Sequence, residues 1–89
     1  MKYRFEWDPA ARRELRAIAL ADARRILLAI TALGEDPYAP ELDVRKLTGA
    51  DELYRLRVGR FRVIYRVDNG ILVIIVVAGG WRRDIYRGL

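Results

Sequence analysis

Leu53-Tyr54-Arg55-Leu56-Arg57-Val58-Gly59-Arg60-Phe61-Arg62-Val63-Ile64-Tyr65-Arg66-Val67 sets the architecture of this chain. It holds five arginines, no acid, and an apolar residue at nearly every other position. Alternation of this kind predicts two strands joined by a tight turn. Val58 and Phe61 flank Gly59-Arg60, and glycine at the first turn position suits a type II′ turn. Arg57 then faces Arg62, Arg55 faces Ile64, and Leu53 faces Arg66. Side chains alternate along a strand and opposite residues share a face, so Arg55, Arg57, Arg62 and Arg66 all point the same way. Like charges directly opposite one another destabilise a sheet. The pattern makes sense if a polyanion lies across that face.

Downstream, Asp68-Asn69-Gly70 is a second hairpin turn, with Asn-Gly favouring type I′. Ile71 to Ala78 is apolar at every position, as in an interior strand covered on both sides. With Asp68 opposite Ile71, Tyr65 meets Ile74 and Val63 meets Val76. Phe61, Val63, Tyr65, Leu72, Ile74 and Val76 are then expected to pack against helices. Arg62, Ile64, Arg66, Val73, Ile75 and Val77 are expected on the opposite face, an apolar floor beside an arginine row. A slip of one residue would exchange the two sets.

Upstream, Lys2 to Trp7 sets Tyr3, Phe5 and Trp7 against Lys2, Arg4 and Glu6, a half-buried strand. Asp8-Pro9 starts a helix, with Asp as the cap and Pro in the first turn. This helix is expected over Pro9 to Ala19, with Ala11, Leu15 and Ile18 inward. A break near Leu20-Ala21-Asp22 leads to a second helix carrying Ile26, Ala29, Ile30 and Leu33 on one face, with Gly34 as its stop. Glu35 to Asp43, with Pro37 and Pro40, reads as an irregular loop. Val44 to Leu47 reads as a short extended piece. The expected fold is therefore α+β: an N-terminal strand, a two-helix hairpin, then an antiparallel β-meander sheet with the helices on one face. Residues 1–89 are expected to form a single domain, as one core of this length allows.

Composition narrows the chemistry. The 89 residues are 53% apolar and 33% charged, as in a folded domain. No apolar run is long enough for a transmembrane helix, and Met1 to Asp8 has no secretory pattern, so a cytoplasmic protein with no membrane partner is expected. There is no cysteine and no histidine. Disulfides, thiolate metal sites and Ser-His catalysis are thereby excluded, and neither a metal site nor a cofactor is expected. The net charge is +5, and the basic residues are 15 arginines against two lysines. Such a balance suits an anionic partner, and arginine binds phosphate with a planar fork. A GC-rich genome would raise the arginine share but would not cluster it.

The run Leu53 to Tyr65, the lead-in Lys46-Leu47-Thr48-Gly49 and the distal Gly80-Trp81-Arg82-Arg83-Asp84-Ile85-Tyr86 together resemble the RelE branch of the RelE/ParE toxin superfamily. The resemblance spans essentially the whole chain. It implies a RelE-like fold and a type II toxin that enters the ribosomal A site, cleaves the mRNA there and is silenced by a cognate antitoxin in a heterocomplex. Arg55 and Arg57 match two basic positions of the first hairpin strand, which are lysines in the best-known members. Arg62 matches a catalytic arginine on the next strand. Arg82 and Tyr86 match the arginine and tyrosine of the C-terminal motif, while Trp81 stands where many relatives have His or Lys. Arg60, Arg66, Arg83 and Lys46 are expected to add RNA phosphate contacts. Val73, Ile75 and Val77 are expected to be covered by the antitoxin.

The implied reaction is metal-independent attack of a ribose 2′-hydroxyl on the adjacent phosphorus. Arg57, Arg62 and Arg82 suit stabilisation of the phosphorane, at about 3–4 kcal/mol per well-placed donor. A general base is harder to name, because arginine does not give up its proton. Tyr86 is the base or acid the motif offers, since flanking arginines favour phenolate. Two other readings stay open: a ParE-like inhibitor of DNA gyrase, and a catalytically inactive nucleic-acid-binding module.

Overall fold

Alternating aromatic and charged residues make the first strand. In the computed structural model, which describes residues 3–47, 49 and 52–79, β1 spans Arg4–Trp7. Phe5 and Trp7 pack toward the core, while Arg4 and Glu6 are exposed. Asp8 caps the following helix, its carboxylate accepting the Ala10 N–H at 2.9 Å, with Pro9 in the first turn. This helix, α1, spans Pro9–Ala17, two residues shorter than the sequence pattern suggests.

The second helix, α2, spans Leu20–Glu35, so the break falls at Ile18-Ala19 and not at Leu20 to Asp22. Asp22 lies in the first turn of α2, where an acid complements the helix dipole. Ala23, Ile26, Ile30 and Leu33 are its buried face. Gly34 does not stop the helix but lies inside it. A Cβ at Gly34 would stand 2.5 Å from the ring of Phe5, and its carbonyl accepts the Tyr3 N–H at 3.1 Å. Glycine is there because β1 packs directly onto the helix backbone.

The remaining strands are β2 (Asp43–Lys46), β3 (Leu53–Val58), β4 (Phe61–Asp68) and β5 (Ile71–Gly79). They form one sheet with β1 in the order β1-β5-β4-β3-β2. Neighbouring strands run antiparallel except that β1 lies parallel to β5. That pairing makes β5 an interior strand, as its all-apolar composition implies. The first hairpin has the expected register, with Arg57 opposite Arg62 and Leu53 opposite Arg66. Its turn has φ +59° at Gly59 and no positive φ at Arg60, consistent with type II′. Asn69 and Gly70 both have positive φ, consistent with type I′.

The second hairpin departs from the expected pairing halfway along. Asp68 to Tyr65 pair with Ile71 to Ile74 as expected, but Ile64 then pairs with Val76 and Val63 with Val77. One extra residue, Ile75, is accommodated as a β-bulge. The alternation on β5 therefore resets. Val77, expected on the arginine face, is fully buried in the helix-side core. Val76, expected in that core, lies beside Ile64 outside it. The core joins Ala11, Ile26, Ile30 and Leu33 of the helices to Leu56, Phe61, Val63, Tyr65, Leu72, Ile74 and Val77 of the sheet.

Candidate functional site

The sheet face turned away from the helices carries the arginines. Pairing across the strands gives three rows on it. Asp43, Arg57, Arg62 and Ala78 form the first, Arg45, Arg55, Ile64 and Val76 the second, and Leu53, Arg66, Val73 and Glu6 the third. Arg55, Arg57, Arg62 and Arg66 are thus brought together as the sequence implies. The bulge shapes the surroundings of Arg62. Without it Arg62 would stand opposite Val77; with it the neighbour is Ala78, which leaves more room beside the guanidinium. Gly79 opposite Phe61 completes the fit, since a Cβ there would meet the Phe61 ring at 2.7 Å.

Beneath the charges lies an apolar floor. Ile64 is fully buried although it stands outside the helix-side cluster. Val73, Ile75 and Val76 beside it are half-buried. Ile75 thus keeps its expected face, and Val76 takes the place assigned to Val77.

The sheet also brings an acid to this face. Asp43 sits directly opposite Arg57, and its Oδ1 accepts a hydrogen bond from Arg55 Nη2 at 2.8 Å. The Arg55 side chain is only 13% exposed, against 51% for Asp43. Arg55 Nε is buried with no hydrogen-bond partner among the described residues. One edge of the guanidinium is therefore fixed by Asp43, and a buried donor remains unsatisfied, a costly arrangement that an added acceptor would relieve. Arg45, opposite Arg55 and exposed, adds a further cation. Neither Asp43 nor Arg45 was picked out from the sequence. The missed signal is the alternation Leu42, Val44 inward against Asp43, Arg45 outward.

Two residues expected to touch phosphate lie elsewhere. Lys46 shares a row with Tyr54 and Tyr65 and lines a cavity of about 190 Å³ with Pro37, Tyr38, Val44 and Val67. Strand alternation puts it on the helix-packed side. Arg60 sits at the hairpin tip, its guanidinium 5.3 Å from the Phe61 ring centroid and 4.0 Å from the Asp22 carboxylate. Phe61 faces the core, so Arg60 leans toward α2 and away from the arginine row. Trp81, Arg82, Arg83 and Tyr86 lie outside the described residues.

Tyr54 and Tyr65 stack with ring centroids 5.6 Å apart, on the side of the sheet opposite the arginines. Burial, followed by the neighbouring Tyr54 and Tyr38, pushes the Tyr65 phenol well above its ordinary pKa. It holds its proton and takes no part as a base. What the arginine face offers is a set of fixed, charge-assisted donors over an apolar floor, with one carboxylate among them. Donors of this kind are chemically suited to holding a phosphate and to stabilising charge that develops on it.

The chain as a whole is similar to known proteins. The family described as "ParE toxin of type II toxin-antitoxin system, parDE" matches residues 5–86. A protein of Methanocaldococcus jannaschii named "Putative toxin RelE1" is 32% identical over 77 residues, covering 83% of this chain and 86% of that protein. A chain in the archaeal RelE-RelB complex from Pyrococcus horikoshii OT3 superimposes with a TM-score of 0.79 at 32% identity, covering 92% of this chain and 99% of the other. The isolated E. coli RelE toxin shares the fold, with a TM-score of 0.76 at 20% identity over 94% of this chain and 90% of its own.

Proposed function

This chain belongs to the RelE/ParE superfamily of type II toxins, as a RelE-type member, and from that premise we propose that it is a ribosome-dependent endoribonuclease that cuts mRNA in the A site. The observation that carries this reading is the Arg57–Arg62 pair, directly opposed across two strands with Arg55 beside it. A sheet serving stability alone gains nothing from facing guanidiniums. A site that must hold a phosphodiester and stabilise its pentacoordinate dianion gains two converging donors.

In the proposed reaction the 2′-oxygen attacks phosphorus, giving a 2′,3′-cyclic phosphate and a 5′-hydroxyl. Arg57 and Arg62 bind the non-bridging oxygens, and Arg55 and Arg66 hold the flanking backbone. Arg82 and Tyr86 take the roles the resemblance gives them, a further phosphate donor and a proton-transfer group. Arg83 would extend the phosphate contacts. Arg60 and Lys46 have less part in this, given where they lie. The enzyme acts where translating ribosomes are, in the cytoplasm. Among the described residues no helix is long and apolar enough to cross a membrane.

The proposed partner is an antitoxin, supported by the match to a chain of the RelE-RelB complex. Its acidic side chains would pair with the arginines, and its apolar ones would cover Val73, Ile75 and Val76. The alternative reading is a ParE-like gyrase inhibitor, but a gyrase inhibitor has no need of opposed arginines beside a carboxylate. Expression with and without Arg62→Ala or Arg82→Ala, alongside a supercoiling assay with gyrase, tests the choice. Growth arrest relieved by each substitution, with supercoiling unaffected by the wild type, is the expected result. Arrest by a fully toxic double variant, or blocked supercoiling, would contradict it.

A further inference from the structure

We propose that Asp43 is the proton acceptor of this site, taking the proton of the attacking ribose 2′-hydroxyl. The inference rests on the RNA-cleaving reading above and assigns the proton acceptor, which leaves the proton-transfer group of that reading as the donor. Arginine cannot serve as the base. Tyr54 and Tyr65 stand on the other side of the sheet, and Tyr65 is held protonated by burial. Among the described residues of the arginine face, strand alternation leaves three carboxylates: Asp43, Glu6 and Asp68. Glu6 lies in the row of Arg66, and Asp68 lies beyond it. Four residues of strand separate Arg66 from Arg62, roughly 14 Å at about 3.4 Å per residue. Asp43 alone of the three shares the row of Arg57 and Arg62.

Its geometry suits the task. Arg55 Nη2 anchors one carboxylate oxygen at 2.8 Å, fixing the group in place, while the side chain stays half-exposed. A carboxylate inside a phosphate-binding surface weakens anion binding by repulsion, so its placement there needs another reason. The charged groups around it are Arg55 and Arg57 from β3, Arg62 further along the row, and Glu41 and Arg45 two residues to either side on its own chain.

In the step itself the 2′-O–H bond breaks and its proton passes to Asp43. The freed electron pair forms the bond from the 2′-oxygen to phosphorus, and the bond from phosphorus to the 5′-oxygen breaks. The departing 5′-oxygen takes a proton from the proton-transfer group of the proposed reaction, which regains one from water. Asp43 then releases its proton to the hydroxide left behind, so no proton is consumed overall.

The test is single-turnover cleavage of mRNA on programmed ribosomes across pH, comparing wild type, Asp43→Asn, Asp43→Ala and Asp43→Glu. Melting curves and ribosome binding serve as controls for folding. Asp43→Asn keeps an oxygen for Arg55 but cannot take a proton. It is expected to cleave on the order of 10²–10⁴-fold more slowly, to lose the acid limb of the pH–rate profile, and to bind ribosomes at least as tightly as the wild type. Asp43→Glu, which keeps the carboxylate, is expected to retain that limb. An Asp43→Asn variant with the wild-type rate and profile would overturn the inference and leave the ribonuclease reading standing. So would loss in Asp43→Ala with full activity in Asp43→Asn, which would make Asp43 a positioning residue for Arg55. A wild type that does not cut would overturn the ribonuclease reading and this inference with it.

Discussion

Arg62 faces Arg57 on one strand and Ala78 on the other, and that environment carries a cost. Two like charges directly opposed on a sheet lower stability by roughly 0.2–1 kcal/mol. Arg62→Gln removes the repulsion while keeping a long polar side chain, so its thermal denaturation midpoint is expected to equal or exceed that of the wild type. Chemical activity should move the other way. A second residue-scale expectation concerns Tyr65. Its phenol pKa is raised from 10.0 by burial, so the folded state favours the protonated form. That contribution is fully present below pH 10 and is lost as the pH rises above it, because the unfolded chain releases its proton first. Denaturant unfolding should therefore show stability falling above pH 10, and Tyr65→Phe should flatten that fall. An unchanged alkaline limb in Tyr65→Phe would place its cause elsewhere. The arginine positions were legible in the sequence because two-residue turns at Gly59-Arg60 and Asn69-Gly70 leave little freedom in pairing. Asp43 was not, because its partners lie 12 or more residues away across a connection with no such turn.

Among the elements, β5 decides which side chains meet the arginines. Ile71 to Ala78 is apolar throughout, so its composition contains no alternation from which a bulge could be read. The extra residue at Ile75 shows only in the pairing with β4. It sends Val77 into the core and Val76 to the arginine side. Val77→Asp would bury a carboxylate at a site with 0% exposure and is expected to destabilise by about 4 kcal/mol or more. Val76→Asp should leave the fold intact and weaken antitoxin binding, since it stands on the face the antitoxin is proposed to cover. Chemical denaturation and an antitoxin pull-down of the two variants separate these outcomes. The reverse pattern would mean that β4 and β5 pair without the bulge. Gly34 teaches a related lesson: a glycine near a helix end looked like a stop, but the close approach of Phe5 explains it. A contact between β1 and α2 is invisible to any local rule.

At the scale of the whole molecule, the fold divides its labour between the two faces of one sheet. The helices cover one face and supply the apolar burial that keeps the sheet folded. The other face is free to carry charge that stability alone would not favour. Its cations come from three strands, β2, β3 and β4, and its apolar floor from β4 and β5. The α+β order and helix-covered sheet were legible from periodicity and turn chemistry; the parallel β1–β5 edge was not, because strand neighbours far apart in sequence leave no local mark. The central claim is that this arginine face cuts RNA, and mapping mRNA 5′ ends on translating ribosomes tests it most directly. Exposure to the wild type should give new ends within A-site codons, and Arg62→Ala should reduce their yield about 10²–10³-fold. Equal yields from the two proteins, or no A-site ends from the wild type, would contradict the account.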